Sequence, residues 1–148
     1  MEETHEVVLH HVGYAVRSIE TEAPRLAKVL GAEWDGVITH DPLQAARVTF
    51  LTTASSHGTS RFELIEGESE DTPLGKFVAK GGGLHHVCYA VGDLDAQLSR
   101  MKKLGAVPVG PVKYAVAFGC RVGWMFTRPN LLLEYIELGI GHQDPVRS

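Results

Sequence analysis

The chain has 148 residues, 44% of them hydrophobic and 22% charged, with a formal net charge of −4. This is the composition of a single globular domain, and it lacks the basic excess that nucleic-acid binding requires. No apolar run reaches the roughly 20 residues that span a bilayer, so no membrane partner is expected. The acidic opening Met1-Glu2-Glu3-Thr4-His5-Glu6 also lacks the layout of a signal peptide.

A cytoplasmic setting is therefore expected, with Cys88 and Cys120 as small buried hydrophobes rather than a disulfide or a zinc cluster. Val7 to Val16 is rich in β-branched and aromatic residues and predicts a strand. Ser18 caps a helix whose apolar stripe is Ile19, Ala23, Leu26, Ala27 and Leu30, and Gly31 ends it. Pro24 fits better near the helix start than inside it. Glu33 to Ile38 predicts a second strand, Thr39 to Pro42 a turn, and Arg47 to Thr52 a third strand. A polar hairpin loop, Ser55 to Thr59, leads to a fourth strand, Arg61 to Glu66.

The segment from Thr72-Pro73 through Leu74, Phe77 and Val78 predicts a short helix with proline in its first turn. Gly81-Gly82-Gly83 reads as a flexible link between halves. A strand over Leu84–Val91 follows, then a helix capped by Asp93 with the stripe Leu94, Leu98, Met101 and Leu104, stopped by Gly105. Val107 to Pro111 predicts an edge strand, Gly119 a bend, Val122 to Phe126 a strand, Arg128-Pro129-Asn130 a turn and Leu131 to Leu138 the last strand.

Two stretches in this series are nearly the same. Leu9-His10-His11-Val12-Gly13-Tyr14-Ala15-Val16 returns as Leu84-His85-His86-Val87-Cys88-Tyr89-Ala90-Val91, differing only at Gly13 and Cys88. Phe62-Glu63-Leu64-Ile65-Glu66 resembles Leu133-Glu134-Tyr135-Ile136-Glu137 in the same way. The chain is thus an α+β domain of two β-α-β-β-β modules, residues 7–67 and 84–138, joined by a connector over 68–83.

Side chains alternate faces along a strand. His11 shares a face with the small Gly13 and Ala15, and His86 with Cys88 and Ala90. His10 and His85 share the other face with bulky residues and are expected on the packing side. Glu63 and Glu134 lie within apolar strands, where a carboxylate needs a partner: a metal ion, or an arginine such as Arg47, Arg61 or Arg121. Glu66 and Glu137, at strand ends, read as solvated. Two like halves packed about a pseudo-twofold axis bring His11, Glu63, His86 and Glu134 together. That nitrogen and oxygen set suits one divalent ion: Zn, Ni, Co, Mn or Fe. His5, His40, His57 and His142 read as surface residues, and Trp34 and Trp124 as core or interface.

The paired modules, the His-His-Val strand openings and the closing Glu-x-x-Glu strands resemble the vicinal oxygen chelate superfamily over about Val7–Leu138. The connector Asp71-Thr72-Pro73-Leu74 through Gly81-Gly82-Gly83 is most similar to that of methylmalonyl-CoA epimerases, and small bacterial glyoxalase I-like proteins are similar over the same span. The resemblance implies a cupped, incomplete β-barrel, the same four ligands and commonly a homodimer. It also implies metal-assisted proton transfer next to a carbonyl, with Glu134 and then Glu63 as the base. The substrate expected is a small molecule, an acyl-CoA thioester for an epimerase, with Lys76, Lys80, Lys113 and Arg121 available to its phosphates. A glyoxalase-type lyase, an Fe(II) oxygen-activating enzyme and a non-catalytic small-molecule-binding or resistance protein are the alternatives. Such epimerases place a further glutamate before the third strand. Here that segment reads His40-Asp41-Pro42-Leu43-Gln44-Ala45-Ala46, leaving Asp41 and Gln44 as its candidates.

Overall fold

The computed structural model describes residues 6–138, so His5 and His142 lie outside it. In chain order the elements are β1 (Val7–Ala15), α1 (Ile19–Leu30), β2 (Thr39–Asp41), β3 (Ala46–Ser55), β4 (Gly58–Gly67) and α2 (Pro73–Ala79). They continue with β5 (Gly83–Val91), α3 (Leu94–Lys103), β6 (Val107–Pro108), β7 (Lys113–Ala115), β8 (Cys120–Thr127) and β9 (Leu131–Glu137). The strands form one mixed sheet in the order β2-β3-β4-β1-β5-β9-β8-β6, with β7 on β8, and the sheet stays open rather than closing into a barrel.

The two halves have matching pairings. Within them, β1 runs parallel to β4 and β5 parallel to β9; β3 and β8 lie antiparallel on the outer sides. Antiparallel pairing of β1 with β5 joins the halves at the centre. Alternation then sorts the side chains. Tyr14, Val16, Leu51 and Leu64 pack against Ile19, Ala23 and Leu26 of α1. Val91, Leu133 and Tyr135 pack against Leu94, Leu98 and Met101 of α3. Each fully buried Leu or Ile contributes about 1.5–3 kcal/mol through removal from water. The other face of the central strands is left for the site.

The helix ends follow their expected chemistry. Side chains of Ser18, Thr72 and Asp93 accept hydrogen bonds from the amides of Thr21, Gly75 and Ala96. Gly31 closes α1 at φ 64°, a left-handed conformation that costs glycine nothing. Glu66 and Glu137 are not solvated as expected. Their Oε2 atoms accept from the amides of Ile19 and Leu94 at 3.0 and 2.9 Å, capping α1 and α3 from the adjoining strands. Arg47 links Glu66 to Glu20, and Arg121 links Glu137 to Asp95.

Four local expectations are corrected. The second strand is not at Glu33–Ile38. Glu33 makes a single bridge to Thr52, and the chain then turns where Asp35 Oδ1 accepts from the Val37 amide and Gly36 adopts φ 80°. Pairing resumes as β2, within the segment read as a turn. Pro24 lies inside α1, on its exposed side, where the Glu20 carbonyl deprived of a partner can face water. The expected edge strand at Val107–Pro111 shortens to Val107–Pro108. Gly81-Gly82-Gly83 is a hydrogen-bonded turn rather than a loose link. The amides of Gly81 and Gly82 bond Val78 and Phe77, and a Cβ on Gly82 would meet the Ala15 carbonyl oxygen at 2.7 Å.

Candidate metal centre

The register between β1 and β5 slips twice. Leu9 pairs with Tyr89 and His11 with Cys88, so β1 has one extra residue, His10. Gly13 pairs with His86 and Tyr14 with Leu84, so β5 has one extra residue, His85. Each His-His pair therefore sits at a β-bulge, a device that breaks strict alternation and re-aims a side chain.

This overturns the expectation for His10 and His85. His10 does not join Tyr14 and Val16 on the helix side. Its ring lies 5.6 Å from Phe118 and 6.4 Å from Phe50, and both rings also contact His11, at 5.6 and 5.4 Å. His85 lies 5.0 Å from Phe77 of α2 and 6.2 Å from Trp124. Each bulge histidine also meets its neighbour through Nδ1, His10 to His11 at 2.7 Å and His85 to His86 at 2.8 Å.

His11, Glu63, His86 and Glu134 converge from β1, β4, β5 and β9, each about 1% exposed. The Nε2 atoms of His11 and His86 are 3.2 Å apart. His11 Nε2 is 3.6 Å from Glu63 Oε1 and 3.3 Å from Glu134 Oε1; His86 Nε2 is 3.3 and 3.8 Å from the same two oxygens. Both Oε1 atoms are buried without a hydrogen bond. Arg47 and Arg121 do not serve these carboxylates, being held by Glu20, Glu66, Asp95 and Glu137 on the helix side.

Burial alone disfavours a charge on His11, but the Glu63 and Glu134 carboxylates outweigh it and raise the imidazole to about 9. Burial likewise opposes ionisation of Glu63, and the two imidazoles reverse this, holding it well below the usual carboxylate range. Without another cation, the cluster draws in a proton to balance its carboxylates. A divalent ion meets the same demand more fully. Donors about 2.0–2.2 Å from a common ion stand about 2.8–3.6 Å apart at octahedral or tetrahedral angles. The observed 3.2–3.8 Å spacings therefore fit with little adjustment.

Neighbours of the cluster repeat as well. Phe50 pairs with Glu63 across β3 and β4, and Trp124 with Glu134 across β8 and β9. Trp124 packs on His86 at 4.8 Å as Phe50 packs on His11. The expectation for Trp124 is core or interface. The signal was available in Arg47-Val48-Thr49-Phe50 and Arg121-Val122-Gly123-Trp124, a third repeated motif. In the segment before β3, Gln44 Oε1 accepts from Trp124 Nε1 at 3.0 Å, and Gln44 Nε2 donates to Asp41 Oδ2 at 3.2 Å. Asp41 is fully buried, with Oδ1 unpartnered. His40 and His57 are at the surface, and His40 is bonded to Glu68.

Residues 10–124 match the family model of the Glyoxalase/Bleomycin resistance protein/Dioxygenase superfamily. The chain belongs to that superfamily. An ethylmalonyl-CoA/methylmalonyl-CoA epimerase of Cereibacter sphaeroides is 35% identical over 104 residues, covering 69% of this chain and 74% of that one. The human mitochondrial methylmalonyl-CoA epimerase is 30% identical over 97 residues, and the match spans 64% of this chain and about half, 52%, of the human protein. A Streptomyces coelicolor methylmalonyl-CoA epimerase variant, solved with 2-nitronate-propionyl-CoA, superposes with a TM-score of 0.75 at 22% identity. That match covers 89% of this chain and 98% of the other. The open mixed sheet is thus the superfamily fold.

Proposed function

We propose that this protein is a divalent-metal-dependent epimerase acting on a branched malonyl-CoA thioester. The observation that supports it most is the buried two-histidine, two-glutamate cluster with two unpartnered carboxylate oxygens. The names of the two relatives above supply the substrate class. His11, Glu63, His86 and Glu134 would hold the ion, which would supply Lewis acidity toward the thioester carbonyl and so acidify the adjoining carbon.

The residues of the chain do the rest. The Glu134 carboxylate, as a ligand that swings off the ion or as a base beside it, takes the proton from one face of that carbon, and return of a proton to the opposite face gives the other epimer; Glu63 is the second candidate for the base. Phe50, Phe118 and Trp124 wall the cluster with rings and keep water from the carbanion. Lys76 on α2 and Lys80 at its C-terminal cap are exposed and suit the phosphates of a CoA tail, whereas Arg121 is committed to Asp95 and Glu137.

The test is solvent deuterium exchange at the α-carbon of methylmalonyl-CoA. The native protein exchanges this position and interconverts the epimers, chelation abolishes both, and Glu134→Gln slows exchange by about 10²–10⁴-fold, the usual contribution of a general base. Unchanged exchange in the variant removes Glu134 from the role. Turnover of a methylglyoxal–thiol adduct with no exchange into methylmalonyl-CoA reassigns the protein to glyoxalase-type chemistry.

A further inference from the structure

We propose that His10 and His85 are positioning residues that set the tautomer and ring orientation of His11 and His86, so that each presents an Nε2 lone pair to the metal. This rests on the metal-centre reading above.

The geometry is the same in both halves. His10 is the extra residue of the bulge in β1, and His85 is the extra residue of the bulge in β5. On an unbulged strand, adjacent side chains point to opposite faces and their rings cannot meet. The bulges bring them together edge to face, with ring planes at 79° and 89° and centroids 5.0 and 5.1 Å apart. In both pairs the contact is Nδ1 to Nδ1, at 2.7 and 2.8 Å. The opposite nitrogens of His11 and His86 face each other and the two carboxylates.

A neutral imidazole has one N–H and one lone pair. A ligand must turn its lone pair to the ion, so His11 and His86 each hold their proton on Nδ1. Two facing Nδ1 atoms share one proton, so the neighbour's Nδ1 is the acceptor. His10 and His85 therefore take the Nε2–H form and accept from the ligands. An acceptor behind a ligating histidine fixes its ring and raises its basicity, and its loss typically weakens metal binding about 10–100-fold. Here the acceptor is the preceding residue, and the bulge is what makes so local an arrangement possible. Phe50 and Phe118 hold the His10 ring in place, and Phe77 and Trp124 hold that of His85.

The test measures Co(II) and Zn(II) affinity of the metal-stripped protein by chelator competition, alongside urea unfolding without metal. His10→Leu and His85→Leu keep bulk and remove the acceptor; each is expected to bind about 10–100-fold more weakly. His10→Asn and His85→Asn place an oxygen where Nδ1 stood, and are expected to restore affinity to within a few-fold. In the Zn(II) form, ¹⁵N-resolved NMR is expected to show His11 and His86 protonated on Nδ1, and His10 and His85 on Nε2. Unchanged affinity in both leucine variants overturns the proposal, as does protonation of either ligand on Nε2 or failure of the asparagine variants to restore binding in a normally folded protein. If the native protein binds neither ion, the metal-centre reading fails first and this inference with it.

Discussion

A Cβ placed on Gly13 would lie 2.0 Å from Cε1 of His86, its partner across the central strand pair. The corresponding pair in the other half is Cys88 opposite His11, where a side chain is accommodated. The one mismatch between the two copies of the repeat is therefore a steric requirement of the site. Gly13→Ala is expected to displace the His86 ring, cost about 1–3 kcal/mol of stability as an overpacked site does, and weaken metal binding at least tenfold. Cys88→Ala is expected to leave metal affinity within a few-fold of native. Metal titration and urea unfolding of the two variants check both statements, and native affinity in Gly13→Ala contradicts the first.

Metal binding should be visible as stability. An ion present at about 100 times its dissociation constant adds about 2.7 kcal/mol. For a chain of this size that raises Tm by about 5–10 °C. Chelation is expected to remove this increment from the native protein. Glu63→Leu and Glu134→Leu are expected to show little increment, since each removes a ligand oxygen from the cluster. Calorimetry with and without Zn(II) reads the difference; a full increment in either variant shows that its glutamate is not a ligand.

The bond from Trp124 Nε1 to Gln44 Oε1 ties one half of the molecule to the wall of the other half's histidine. Gln44→Leu leaves a part-buried indole N–H unpaired and is expected to cost about 1–2 kcal/mol. Trp124→Phe removes the donor and loosens the packing on His86. A double-mutant cycle is expected to give a coupling of about 0.5–1.5 kcal/mol, and additive effects would show the contact to be energetically idle.

Arg121 and the Leu94 amide hold Glu137 below its ordinary carboxylate range, Arg121 being the larger influence. A group depressed in the folded state adds stability above its unfolded pKa and loses it as pH falls through the folded one. Glu137→Gln is therefore expected to be less stable than native near pH 7, by under about 1 kcal/mol for so exposed a pair. The difference should shrink as the medium is taken below about pH 4, from the ordinary carboxylate range of the unfolded chain towards the lower folded value. Thermal unfolding across pH 3–7 measures it, and a difference independent of pH removes the ion pair as its cause.

Local rules reach a long way in this chain. Period-two alternation and the duplicated motif are enough to single out His11, Glu63, His86 and Glu134, because the parity of a residue on a strand is set by its immediate neighbours. Cap chemistry places all three helix starts at Ser18, Thr72 and Asp93 for the same reason. What those rules miss depends on partners remote in sequence. The placement of His10 and His85 follows from how β1 pairs with β5, and a bulge is a property of two strands, invisible in either alone. Glu66 and Glu137 looked solvated until the helix amides they cap were brought to them. Gln44 gained its role from Trp124, 80 residues away. The sequence by itself determined which side chains share a face wherever a strand is unbulged. Only the tertiary structure decided which of them touch, because contact between strands is settled by pairing register and not by the order of residues along one strand.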